Sequence, residues 1–204
     1  MRKLPAILLL SLGLSVGGCA TAETSANLKE SFDSGVAAYD AGDYPRAYKI
    51  WSAIDDEDIA AMRNVAMMRR QGLGTAKDPK GAEEMYLRAA EAGLPTAQAD
   101  LADMLIRGEA GPPDPKRALP LLEAAAAANH PLAQYELAQF YEAGQLVPLN
   151  LTVARNLYAA AAGHGMKEAQ ARLDQLGPAP EAPQPPPVTQ PTPSPPPPLR
   201  TSPD

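Results

Sequence analysis

Few side chains in this sequence are equipped for chemistry, and their spacing narrows the choice further. Gly13-Leu14-Ser15-Val16-Gly17 matches the G-x-S-x-G pattern of a hydrolase nucleophile, but that motif needs a strand before the serine and a helix after it. Here it lies in an apolar N-terminal run and reads as a chance match. His130 is expected to pack in a loop between structural units, and His164, between two glycines, has no partner at metal-ligand spacing. The acidic run Asp55-Asp56-Glu57-Asp58 is read as a solvated helix start, where negative side chains meet the positive end of the helix dipole. A cation site would need converging oxygens from elsewhere. The single thiol, Cys19, excludes both a disulfide framework and a cysteine-based zinc site. No catalytic residue, metal ligand or cofactor is therefore expected, and what remains is the chemistry of Cys19 and of polar side chains that recur along the chain.

Cys19 stands at the end of an export-type segment. Arg2 and Lys3 form a basic start, and the apolar run from Leu4 to Val16 is shorter than the ~20 residues that span a bilayer. Val16-Gly17-Gly18-Cys19 resembles the lipobox of bacterial lipoproteins, with an aliphatic residue at −3 and small residues at −2 and −1. By that resemblance residues 1–18 are removed and Cys19 becomes the lipid-modified first residue, since its thiol is the nucleophile that carries a diacylglycerol. Two or more acyl chains anchor stably where one is marginal. The residue at +2 is Ala20 rather than Asp, which in this class implies the periplasmic face of the outer membrane. The alternative is cleavage at Ala20-Thr21-Ala22, which would discard Cys19 and release a soluble periplasmic protein.

The elements that position the remaining polar residues follow from composition. The 204 residues carry 18 Lys plus Arg against 24 Asp plus Glu. No basic block is present, so a nucleic-acid partner is not expected. Loss of Arg2 and Lys3 with the signal moves the net charge from −6 to −8. Of the 23 prolines, 13 fall between Pro178 and Pro203. Four parts result: a signal over 1–18, a lipidated N-terminus and linker over 19–27, a folded domain over 28–177, and a proline-rich tail over 178–204. The tail has almost nothing to bury and is expected to be disordered with polyproline II character, a solvated spacer reaching roughly 80 Å at about 3.1 Å per residue.

The domain is built from a repeat. Pro95-Thr96-Ala97-Gln98, Pro131-Leu132-Ala133-Gln134 and Lys167-Glu168-Ala169-Gln170 recur at 36 residues, as do Gly72, Gly108 and Gly144; Ala82, Ala118 and Ala154; and Tyr86, Leu122 and Tyr158. Each period reads as two helices. Asp78-Pro79 and Asp114-Pro115 place a capping acceptor before a proline at the first helical position, and Asn150 keeps the cap without the proline. Gly93, Asn129 and Gly165 fall where the second helix must stop. The spacing predicts first helices near 60–71, 96–107 and 132–143, and second helices near 79–92, 115–128 and 151–163.

Tyr141-Glu142-Ala143-Gly144, Asp78-Pro79-Lys80-Gly81-Ala82 and Tyr86-Leu87-Arg88-Ala89-Ala90-Glu91-Ala92-Gly93 before Pro95 resemble the Sel-one-like repeat family, relatives of tetratricopeptide repeats. The resemblance covers about 63–170 and implies an all-α fold, a right-handed α-solenoid whose first helices line a concave face. Two departures look like end caps, which a solenoid requires. Residues 31–54 have the short turn Gly42-Asp43-Tyr44-Pro45, and the copy beginning at Ala171 stops early, with Asp174 where the others have Ala102 and Ala138. Some secreted members of the family staple each repeat with a disulfide, and this chain has no cysteine for that.

Positions that vary between copies should face the concave surface: Asn64, Met67 and Gln71; Asp100, Asp103 and Arg107; Glu136 and Gln139. They carry excess negative charge and would suit an extended or helical peptide with basic residues. Met62, Met67 and Met68 are at core-filling spacing, and Phe32, Tyr39, Tyr44, Tyr48 and Trp51 are expected to form the core of the first unit. The reading that follows is a lipid-anchored scaffold or adaptor that binds an envelope protein or peptide, with peptidoglycan as a further contact. A cell-wall enzyme would instead show an Asp/Glu pair converging in the groove, and a periplasmic peptide-binding regulator would bind many basic peptides weakly.

Overall fold

In the computed structural model, residues 17–178 are described, with side chains from Ser25 onward. Most of the export signal and nearly all of the proline-rich tail lie outside the described residues, as does the side chain of Cys19. The described chain is all helix and turn: α1 (Gly17–Asp40), α2 (Tyr44–Trp51), α3 (Ile59–Gln71), α4 (Pro79–Glu91), α5 (Pro95–Arg107), α6 (Pro115–Ala127), α7 (Pro131–Ala143), α8 (Leu151–Gly163) and α9 (Lys167–Leu176). Each helix packs on its neighbours in the chain, and α5 also touches α7. Four antiparallel hairpins and a final single helix therefore stack in sequence order, an α-solenoid. None of these helices is long and apolar enough to cross a membrane.

The helix ends fall within a residue or so of the repeat signals because the signals are themselves caps. Asp78 and Asp114 accept hydrogen bonds from the amides of Gly81 and Arg117 at 3.0 and 3.1 Å, and Asn150 from Val153 at 3.1 Å. First helices end at Gly72, Gly108 and Gly144, with φ of 77°, 65° and 64°. At Gly108 a side chain is disfavoured on two counts, since an added Cβ would also lie 2.7 Å from the Pro113 ring. Each loop then returns to its helix: the amides of Asp78, Asp114 and Asn150 donate to the carbonyls of Arg69, Leu105 and Tyr141. The repeated glutamine has a matching task, because Gln98 and Gln134 donate to the Ala90 and Ala126 carbonyls in the last turn of the preceding helix, which also accept from the Gly93 and Asn129 amides.

Alanine at 61, 97, 133 and 169 and at 82, 118 and 154 is fully buried, so the helix backbones approach closely, while Tyr86, Leu122 and Tyr158 fill the wider spaces. Met62 and Met68 are core, as expected. The first unit is closed by aromatics: Trp51 is 2% exposed, its indole N–H donates to the Phe32 carbonyl at 3.2 Å, and Phe32 and Tyr39 pack on its ring. Gly35 leaves room for it, since a Cβ there would lie 2.3 Å from the indole nitrogen. Residues 19–27 are helical backbone of α1, because no proline or glycine interrupts the chain between Gly18 and Gly35 and Ala20, Ala22 and Ala26 favour helix.

Candidate functional site

The repeat places α3, α5, α7 and α9 side by side, and three hollows open along the face they form. The first, between α3 and α5, is lined by Arg70, Gln71, Asp103 and Arg107, with Lys77 and Glu109 from the loops. The second, about 210 Å³ between α5 and α7, is lined by Ile106, Glu136, Gln139, Phe140, Ala143 and Gln145. The third, about 510 Å³ between α7 and α9, includes Tyr135, Glu142, Tyr158 and Arg172. Gln139 and Ala143 on α7 border both the second and the third, so these two adjoin along that helix.

The expected site residues divide into two groups. Gln71, Arg107 and Gln139 are exposed on this face, whereas Asn64 and Asp100 are half-buried, and Met67 packs against the core. Asp103 and Glu136 are each only 8% exposed. Helical spacing puts them on the first-helix face, but in the stack they are covered.

The excess negative charge expected there is cancelled by arginines that reach across from neighbouring helices. Arg63 donates to Asp100 at 2.6 Å and to the Asn64 amide oxygen at 3.3 Å. Arg70 pairs with Asp103 and, through two nitrogens at 2.7 and 2.5 Å, with Glu109. Arg107 donates to the other Asp103 oxygen at 2.5 Å. At the far end Arg172 pairs with Glu142, which also accepts from the Tyr158 hydroxyl at 2.8 Å. Arg63, Arg70, Glu109, Glu142 and Arg172 were not among the expected site residues. A detectable signal existed, since Arg63 and Asp100, Arg70 and Asp103, and Arg70 and Glu109 are opposite charges about one repeat apart.

These pairings split two adjacent carboxyls. Burial pushes Asp103 up, but the hydrogen bonds from Arg70 and Arg107 outweigh it and hold this group below the usual carboxylate value. Glu136 is pushed up to about 8, first by burial and then by the charge of Asp103 and a hydrogen bond with it. Glu109 and Glu142 are held down by their hydrogen bonds from Arg70 and Arg172. His130, at the junction before α7, has its imidazole held low by burial and its Nδ1 buried without a partner. Among the described residues no group of three or more His, Cys, Asp or Glu side chains is placed to hold a metal ion.

A stack of two-helix units with this loop and cap pattern defines an α-solenoid repeat protein. Residues 59–94, 95–130 and 131–166 match the model of the Sel1 repeat, three consecutive copies over more than half of the chain, and the protein belongs to this family. The solved Sel1 repeat protein from Oxalobacter formigenes is 30% identical, with a TM-score of 0.67 over 71% of this chain and 60% of that one. A protective antigen with this repeat fold, c5321 of uropathogenic Escherichia coli, is 25% identical with a TM-score of 0.67, covering 77% of this chain and 35% of that one. The chain thus spans less than two thirds of either relative. No curated protein matches it. Sel1 repeat proteins act as protein–protein interaction scaffolds, and this chain carries that scaffold.

Proposed function

We propose that the protein is a lipid-anchored adaptor of the bacterial cell envelope. Cys19 carries the lipid, the first-helix face receives another envelope protein or peptide, and the chain performs no chemistry of its own. The observation that carries this reading is the pair of adjoining hollows on either side of Gln139 and Ala143, on a fold used for protein contacts. The lipobox resemblance supports the anchor, and Ala20 rather than Asp at +2 supports the outer membrane over the inner. The E. coli relative's status as a protective antigen fits an envelope setting for such repeats.

Crosslinking of tagged full-length protein in intact cells tests the adaptor role. One stoichiometric protein should be captured by the wild type and lost from Ala143→Arg, which blocks both hollows from an exposed position. Capture of an unrelated mixture that this substitution leaves unchanged would count against it. For the anchor, labelled palmitate should enter the wild type and not Cys19→Ser, and the variant should leave the membrane fraction.

A second reading draws on the Asp103–Glu136 pair, since a cell-wall hydrolase needs one ionised and one protonated carboxyl, although it sets them apart on either side of the scissile bond. The geometry favours the adaptor, because Asp103 is in contact with Glu136 and is held down by Arg70 and Arg107, which makes it a poor base and nucleophile. Digestion of peptidoglycan by the purified protein, abolished by Glu136→Gln, would reverse that preference.

A further inference from the structure

Glu136 breaks the pattern of pairing that the rest of the face obeys. One repeat later its position is Arg172, which pairs with Glu142; one repeat earlier it is Asp100, which pairs with Arg63. The position of Glu142 is held in α5 by Ile106, which faces Glu136 across the α5–α7 hollow. Where the next step of the solenoid has a carboxylate and an arginine, this step has an isoleucine and a glutamate. Glu136 is more than nine-tenths buried, its Oε2 has no hydrogen-bond partner, and its neighbour Asp103 is already committed to Arg70 and Arg107. The one hydrogen bond of Glu136 is with Asp103, and a buried carboxyl oxygen left without a donor is costly, a cost removed by whatever supplies one.

The hollow over Glu136 has the shape and polarity of a sleeve for a cationic side chain. Ile106, Phe140 and Ala143 give it apolar walls for a methylene stem, and Gln139 and Gln145 border it with amide oxygens able to accept hydrogen bonds. Oε2 is itself covered, so the carboxyl must turn toward the hollow, where a single oxygen suits the point charge of an ammonium better than a guanidinium, whose fork wants two. We propose that the α5–α7 hollow binds a lysine side chain of the partner protein, stem along Ile106 and Phe140 and ammonium on Glu136. This assignment rests on the adaptor reading for its source of lysine, and the chemistry of the hollow is testable without it.

Binding of the ammonium converts Glu136 from acid to carboxylate, so it releases a proton. The charged groups that bear on this are Asp103 and Arg107 from α5 and Arg70 from α3. Asp103 raises the proton affinity and the two arginines lower it, and the arginines stay fixed in their own ion pairs.

The test titrates the full chain with n-butylammonium, and in parallel with n-butanol, while the carboxyl ¹³C resonance of Glu136 is followed against pH. Butylammonium should saturate and lower the proton affinity of Glu136 about tenfold, one pH unit in its midpoint, and butanol should not. Glu136→Gln should lose the binding. Ile106→Lys, which supplies an ammonium from within the chain, should lose it too while keeping the fold. Equal effects of butanol and butylammonium, or binding that survives Glu136→Gln, would overturn the proposal. Binding that emerges only in Arg200→Ser would assign the hollow to the chain's own tail and also overturn it. Crosslinking separates the two readings: a partner captured equally by wild type and Glu136→Gln leaves the adaptor standing and removes the lysine sleeve, whereas butylammonium binding with no partner captured does the opposite.

Discussion

Glu136 is expected to dominate the dependence of stability on pH. Its folded value of about 8 lies above the ordinary 4.5, so in this interval the native state holds a proton that the unfolded chain has released. Its contribution is complete below about 4.5 and is lost as pH rises to about 8, at up to ~1.4 kcal/mol per pH unit. Denaturant titrations across this range should show the decline in the wild type and a flatter profile in Glu136→Gln. Asp103 works in the opposite sense, because its carboxyl is held down and its stabilisation is lost in acid. Asp103→Asn leaves Arg107 without its partner and Arg70 with Glu109 alone, and should cost about 1–3 kcal/mol in chemical denaturation. The identities of these residues were legible as variable positions on the first helices. Their burial and their division into one paired and one unpaired carboxyl were not, because each depends on what the next repeat places opposite.

Element ends are where the sequence was most informative, since caps are local. Asp114→Ala removes the acceptor for the Arg117 amide and should cost about 1 kcal/mol, within the usual range of about 0.5–2, read as a fall of about 2–4 °C in Tm. Gly108→Ala is expected to cost more, because a left-handed φ of 65° is added to a 2.7 Å approach to Pro113. The contrast between the two checks whether the loop that closes onto the Leu105 carbonyl is held by its cap or by its turn. The start of α1 was not legible in the same way: Thr21, Thr24, Ser25 and Asn27 each offer a cap, and no proline or glycine between Gly18 and Gly35 selects among them.

Across the whole molecule each unit leans only on its neighbours, so stability is shared unevenly along the stack. The α2–α3 junction is the thinnest contact between consecutive helices, while α5 to α8 are covered on both sides. Amide exchange should therefore be fastest in α1 and α2 and slowest in α5 and α6. Uniform protection along the stack would show that the first unit is coupled more tightly than its contacts suggest. Trp51→Ala, which empties the centre of that first unit, should cost about 3–5 kcal/mol. Its effect on exchange should be confined to α1, α2 and the start of α3.

The 36-residue period, the helix stops at Gly72, Gly108 and Gly144 and the caps at Asp78, Asp114 and Asn150 are local signals, and the sequence alone determined the repeat, its helices and its membership in an α-solenoid family. Steric limits on φ and short-range hydrogen bonds act within a few residues, which is why they can be read along a chain. Which acidic side chains of the first-helix face are neutralised, and which one is left open over a hollow, was decided only when Arg63, Arg70 and Arg172 reached across to residues about 30–40 positions away. Charge pairing and burial are set by distance in space, and only the stacked structure brings Ile106, rather than a cation, to face Glu136.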